Sequence, residues 1–262
     1  MTHTLAWRAL SAIVLALAAA IAPAQAGLAG KGQYPQARTV SGLAGGGSAV
    51  RPNGSLGMNG AMALSTPIGY TLASGRAVLM GGATSADSQW RWFDGDVTVN
   101  GSNGTAAAMI GSELGNVGFT VSLVQTSRLS EDRVINLQVS PFAPVGRTSF
   151  SIGGQDLLDQ TVTTPNYYES AQSFFAVATY DAGSGVFVSA GHGTKRFGKG
   201  FASMSAPVMR RTRAMAEHDG YGWNYGLGLD LTDPSTNGVG QPTLFIGFCQ
   251  GRYATWALSM RF

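Results

Sequence analysis

The sequence predicts an all-β protein: an antiparallel transmembrane β-barrel of about twelve strands, with ten as the alternative, behind a cleaved signal peptide. Three observations carry this. The N-terminus has the build of an export signal, no later stretch is apolar for long enough to make a membrane helix, and much of the remaining chain alternates apolar and polar residues in short runs.

The export signal comes first in the chain. Arg8 gives a positive n-region, Ala9–Ile21 an apolar run, and Ala24-Gln25-Ala26 a small-x-small site, so cleavage is expected after Ala26. The run is too short to span a bilayer as a helix. Nothing after it approaches the roughly 20 consecutive apolar residues a spanning helix needs, so any spanning structure must be a closed barrel. Composition agrees. Only 12% of residues are charged, yet alternation of the two faces keeps the mean hydropathy near neutral, and 37 glycines suit tight hairpins and small lumenal positions. The net charge of +3 holds no basic cluster dense enough for nucleic acid. Cys249 is the only cysteine, which excludes an intrachain disulfide and reads as a small apolar strand residue.

Residues 27–55, with Gly45-Gly46-Gly47-Ser48, Pro35 and Pro52, show little apolar periodicity and read as a flexible, solvated N-terminal segment, with a plug or gate as the alternative. The barrel is expected over 56–262. Candidate strands are Leu56–Ser65, Gly75–Thr84, Gln89–Asn100, Thr105–Glu113, Val117–Gln125, Val134–Ser140, Thr148–Gly154, Ala171–Tyr180, Gly185–Gly193, Arg210–His218, Gly222–Thr232, Thr243–Cys249 and the final run to Phe262. Their number is odd, whereas single-chain bacterial barrels carry even ones, so one early candidate is surplus.

Turn chemistry falls at Asn100-Gly101, Asn116, Ala182-Gly183-Ser184, Asp219-Gly220 and Gln250-Gly251. Counting back from Phe262 raises a conflict. The short turns at Gly251, Gly220 and Gly183 fall outside, and the longer links Asp233–Pro242 and Lys195–Pro207 fall on the periplasmic side. Common barrels show the reverse, so either the asymmetry is inverted or one C-terminal strand is misplaced.

In the final strand Ala254, Trp256, Leu258, Met260 and Phe262 share one face, while Tyr253, Thr255, Ala257, Ser259 and Arg261 share the other. A chain ending on an aromatic after such a strand, with Gly251 and Tyr253 before it, resembles the C-terminal assembly signal of bacterial outer-membrane β-barrels. Gly251, Tyr253, Trp256, Leu258, Met260 and Phe262 carry that resemblance. It implies outer-membrane lipid as surroundings and the barrel-assembly machinery as a partner during biogenesis. Three further stretches resemble the YjbH-type barrels associated with exopolysaccharide: Thr66–Gly75, Gly185–Gly193 leading to Arg196-Phe197, and Glu217–Gly220 with Asn224 and Gly226. That resemblance implies a polysaccharide link.

Arg211, Arg213, Glu217 and Asp219 share one face of a strand, and Asn224 and Asp230 add to the same interior from the next. Charges facing lipid cost several kcal/mol, so these six are expected to line the lumen, as a selective constriction or as a compensating network. Trp223, Tyr225, Leu227, Leu229 and Leu231 are expected to face lipid, with aromatics as an interfacial girdle. Asp94 and Asp96 beside Trp90 and Trp92 suit a sugar site or an aromatic belt. Lys195, Arg196 and Lys199 read as a solvated basic loop.

His192 and His218 leave a Ser-His-acid set open by inventory, but Gly183-Ser184-Gly185 lacks the spacing of a nucleophile elbow. Two separated histidines and one cysteine make no metal-ligand set, and no cofactor is expected. The sequence thus predicts a non-enzymatic outer-membrane barrel, either a narrow pore for small solutes or a structural accessory of envelope or polysaccharide export. A membrane-embedded hydrolase or acyltransferase and a soluble secreted β-sandwich are the alternatives.

Overall fold

The computed structural model describes residues 40–84, 103–126, 133–159, 171–232 and 240–262. Twelve antiparallel strands close on themselves. They are β1 (Ala77–Thr84), β2 (Asn103–Leu114), β3 (Val117–Thr126), β4 (Arg133–Ser140), β5 (Thr148–Gln155), β6 (Ser173–Gly183), β7 (Val186–Gly193), β8 (Phe201–Met209), β9 (Thr212–His218), β10 (Trp223–Asp230), β11 (Gln241–Cys249) and β12 (Tyr253–Arg261). Each strand pairs with its sequence neighbours. β1 and β12 make the closure, from Val78 opposite Arg261 to Thr84 opposite Thr255. Past the end of that ladder Phe262 N–H donates to Ala77 O at 2.9 Å and Ala77 N–H to Phe262 O at 3.2 Å. The barrel therefore has no free edge, the condition under which β-structure can stand in lipid.

Alternation sorts the faces. On β3 Thr120, Ser122 and Val124 are buried while Val121 and Leu123 are exposed, and on β10 Asn224 and Asp230 are buried while Tyr225 and Leu227 are exposed. The outward face is apolar and the inward face largely small or polar, the reverse of a soluble β-core.

Two strand expectations are corrected. Leu56–Ser65 is not a barrel strand. Its alternation is real, but its bridging partners are Gly46 and Val50, inside the lumen. The expected link Lys195–Pro207 holds most of β8 (Phe201–Met209). Pro207 hid it, because proline cannot donate to a ladder, and it sits where the β8–β9 register shifts, at the strand's end. The expected strand Gln89–Asn100, with Trp90, Trp92, Asp94 and Asp96, lies outside the described residues, as do residues 1–39.

Strand β8 also removes the conflict over loop lengths. At the rim bearing Phe262 the strands are joined by residues 115–116, 141–147, 184–185, 210–211 and 231–240. At the opposite rim they are joined by 85–102, 127–132, 156–172, 194–200, 219–222 and 250–252. The two longest connections now lie opposite Phe262 and three of the two-residue turns lie beside it, which is the common asymmetry of outer-membrane barrels.

Candidate functional site: a lumen filled by the chain's own N-terminal segment

Inward-facing side chains fill a barrel of about eight strands, and aqueous channels appear in barrels of about 16–18. A twelve-stranded wall, lined by Ser and Thr together with Val, Met and Phe residues such as Met80, Val124 and Phe187, leaves a lumen its own side chains do not fill. Residues 40–76 fill it. The expectation of a solvated segment fails from Val40 onward, since every residue from Val40 to Val50 is buried. The barrel wall begins at Ala77, not at residue 56.

The segment crosses the lumen three times. It starts near the rim opposite Phe262, where Leu43 packs with Phe175, Phe197 and Phe201 and Ser41 O accepts 3.1 Å bonds from Asn136 Nδ2 and Gln155 Nε2. Passing inward, Ser48 Oγ lies 3.3 Å from Ser259 Oγ. The chain turns at the Phe262 rim, where Pro52, Asn53 and Asn59 are exposed. It returns paired with itself: Val50 and Ala61 exchange bonds of 2.9 and 2.7 Å, and Gly47 N–H donates to Ala63 O at 2.9 Å. Gly60 permits this, because a Cβ there would run into the Val50 carbonyl. On the third pass Gly69 N–H donates to Thr179 Oγ1 at 2.7 Å and Leu72 N–H to Thr120 Oγ1 at 2.8 Å. Gln138 Nε2 reaches the carbonyls of Ile68 and Tyr70 at 2.6 and 2.9 Å. Most of these bonds run from a wall side chain to a segment backbone group. That is how a non-helical backbone satisfies its polar groups away from water.

Of the residues expected in the lumen, Arg213, Glu217, Asp219, Asn224 and Asp230 are buried, whereas Arg211 is half-buried in the 210–211 turn, and several of them bond to the segment more than to one another. Glu217 is fully buried at the bend between the second and third passes. Its carboxylate accepts from Leu64 N–H at 2.9 Å, from Ser65 N–H and Oγ–H at 2.8 Å each, and from Thr66 N–H at 3.4 Å and Oγ1–H at 2.9 Å. Asn224 Nδ2 adds a 2.6 Å bond to Glu217 and reaches Asp219 at 3.3 Å. Asp219 lies in the 219–222 turn and accepts 2.9 Å bonds from the Tyr221 and Gly222 amides. Burial, and then the nearby Glu217 charge, push its pKa up, while the two amides and Arg196 oppose this. Arg196, from the 194–200 connection, is buried rather than solvated. It donates to Ser65 O and to Gln155 Oε1, and burial pulls its pKa down against the pull of Asp219 and Glu217. The neighbouring Lys199 stays outside, over the Tyr221 ring.

Toward the Phe262 rim, Arg213 donates to the carbonyls of Met58 at 3.0 Å, Gly185 at 2.6 Å and Ser205 at 2.9 Å. Asp230 pairs with Arg261 at 2.6 Å and accepts from Thr243 Oγ1 at 3.2 Å. Arg211, in the 210–211 turn, donates through Nε to the Asp230 backbone carbonyl at 2.9 Å. Sequence reasoning missed the roles of Arg196 and Arg261. Arg261 was legible as an inward position of β12; Arg196 had no signal, because its burial depends on the bend at Ser65.

Outside, Tyr225, Leu227 and Leu231 are exposed and Trp223 and Leu229 are partly covered, with Trp223 stacked on Tyr225 at 6.2 Å. On β12 Leu258 and Met260 are exposed, Trp256 and Phe262 partly so, Tyr253 points inward, and Gly251 sits in the preceding turn. His192 is exposed, and His218 packs edge-on against Trp223 at 5.3 Å. Ser184 lies in a turn at the other rim, so these residues form no catalytic set. Among the described residues no cluster of His, Cys, Asp and Glu could hold a metal ion, and no helix is long and apolar enough to cross a membrane.

No protein-family model and no curated protein matches the sequence. Among solved structures the chain is similar to the KdgM porin, at 9% identity over 71% of this chain and 98% of that one, with a TM-score of 0.45. It is also similar to a triple mutant of the Rhodopseudomonas blastica porin, at 12% identity over 68% of this chain and 62% of that one, with a TM-score of 0.34. The chain thus spans less than two thirds of that triple mutant's length. The fold rests on the strand pairing above and not on these likenesses.

Proposed function

We propose that this chain is a non-enzymatic barrel of the bacterial outer membrane, of the pore class for small solutes, held closed by its own residues 40–76. The observation that carries the reading is the wall behind the segment. Inward positions such as Thr120, Gln138, Thr179, Ser205 and Ser259 are polar and, beside apolar ones such as Met80, Val124 and Phe187, give water hydrogen-bonding partners along the lumen when the segment is absent. Outer-membrane lipid meets the apolar outward face, and the Phe262 rim, with most of the short turns, faces the periplasm. The aromatic-ended strand β12, which closes the barrel on β1, serves as the signal to the assembly machinery; deletion of Phe262 is expected to lower the yield of heat-modifiable barrel in the outer-membrane fraction, and unchanged yield would remove that role.

The test of the pore is conductance in planar bilayers. The full chain is expected to be nearly silent, and a form lacking residues 40–66 but retaining heat-modifiable migration is expected to conduct steadily. A folded deletion form that passes no current would overturn the pore. The filled lumen would then favour the second reading, a structural barrel accessory to envelope or polysaccharide export.

A further inference from the structure

The three passes of the lumenal segment are not held alike. The first two are bonded to each other through Val50 with Ala61 and Gly47 with Ala63, so residues 40–66 behave as one unit. The third runs straight into β1 and is pressed against the wall: a Cβ on Gly69 would lie 2.6 Å from Ser149 O, and a Cβ on Gly111 of β2 would lie closer still to the Leu72 and Ala73 carbonyls. The two parts join at Thr66-Pro67.

The bonds from the wall to residues 40–63 come mostly from neutral side chains: Asn136, Gln155, Ser205 and Ser259, with Arg213 on Met58 O as the charged exception. At residues 64–66 the character changes. Glu217 takes the three successive amides and both hydroxyls, and Arg196 takes the Ser65 carbonyl from the other side. Charge-assisted bonds are about twice as strong as neutral ones, and here both polarities of one bend are gripped. The grip comes from two places on the wall, β9 and the 194–200 connection.

We propose that residues 40–66 are a displaceable plug latched by Glu217 and Arg196 at Ser65 and Thr66, hinged at Thr66-Pro67, and that release of this latch opens the lumen. The proposal rests on the pore reading given above. Replacing the carboxylate by an amide keeps one accepting oxygen, removes the charge and turns the other position into a donor that faces N–H and O–H groups of 64–66, so about half of the latch bonds are lost, while the third pass and the barrel ladder keep their own bonds. Water then replaces the plug against the Ser and Thr side chains of the wall.

The experiment uses the full chain in planar bilayers, with heat-modifiable migration as the check on folding. Glu217→Gln is expected to raise the open time at least tenfold over the unchanged protein. In the same background Ser48→Cys with Ser259→Cys, whose parent hydroxyls are 3.3 Å apart, is expected to form a disulfide that silences the channel under oxidation and releases it under reductant. If Glu217→Gln stays silent while the form lacking 40–66 conducts, the latch is wrong and the pore stands. If Glu217→Gln conducts equally with the cross-link closed, opening does not move the plug and the proposal falls. If the form lacking 40–66 is itself silent, the pore reading fails and takes the latch with it. Should Glu217→Gln give no folded barrel, Thr66→Val removes one latch bond without disturbing the buried charge. It is expected to raise the open time in the same direction by a smaller factor, and no rise would overturn the latch.

Discussion

Asp230 of β10 and Arg261 of β12 meet at 2.6 Å across the intervening strand β11, and both side chains are nearly fully buried. Thr243 of β11 also bonds to Asp230, so one carboxylate ties together the three strands that lead to the closure. Removing one partner of a buried pair leaves the other charge uncompensated, at a cost of about 3–5 kcal/mol. Arg261→Ala is therefore expected to lower the temperature at which the folded band is lost on gels. Replacing both residues with apolar ones of like size should cost much less. Equal losses in the single and double replacements would show that the pair does not act as a pair.

Leu227 lies in the middle of β10 on the exposed outward face. If that face meets lipid, Leu227→Arg places a charge near the bilayer midplane and costs about 2–4 kcal/mol. Equilibrium unfolding from lipid vesicles measures it. A change below about 0.5 kcal/mol, the range of ordinary surface substitutions, would mean that this stripe does not face hydrocarbon.

Gly60 lets the second pass lie against the first, since a Cβ there would collide with the Val50 carbonyl. Overpacking of this kind costs about 1–3 kcal/mol. The cost falls on the segment and not on the strand ladder. Gly60→Ala is expected to expose residues 40–66 to added protease while the barrel band keeps its heat-modifiable migration. Unchanged protection of the segment would show that the two passes can separate without loss.

Asp219 has its pKa raised by burial and by Glu217. A raised carboxylate binds its proton more tightly in the folded state. Its contribution to stability is therefore full below the unfolded carboxylate value and is lost as pH rises through the raised folded value. Asp219→Asn keeps an oxygen for the Tyr221 and Gly222 amides and removes the charge. It is expected to be at least as stable as the parent at neutral pH and to lose that decline with rising pH. A parent and variant with parallel stability–pH curves would remove Asp219 as the source.

Much of the wall was legible in the chain. Val117–Leu123, Ile135–Ser140 and Trp223–Leu231 announced their two faces because a strand's side chains alternate whatever it pairs with. β8 was not legible: its outward residues include Ala202 and Ala206, its inward ones Ser203 and Ser205, and Pro207 breaks the donor row. With so little contrast between faces and a proline near its end, period two gives no signal. Leu56–Ser65 misled for the opposite reason. It has good contrast, but the surface it matches is another part of the same segment.

What the sequence alone determined is the all-β class, the approximate strand number and the alternation that puts Arg213, Glu217, Asn224 and Asp230 among the buried positions. All of these follow from local composition and period. What only the tertiary structure decided is that the lumen is full. Val40–Val50 is glycine-rich with small and apolar residues, and such a stretch has no favoured partner of its own in water. It is held where a wall of mixed polar and apolar side chains leaves a space of its size and supplies packing partners such as Val124 and Phe175 and bonds such as those of Glu217 to Ser65 and Thr66, from residues about 150 positions away. No local pattern can encode a fit between two surfaces that distant in the chain.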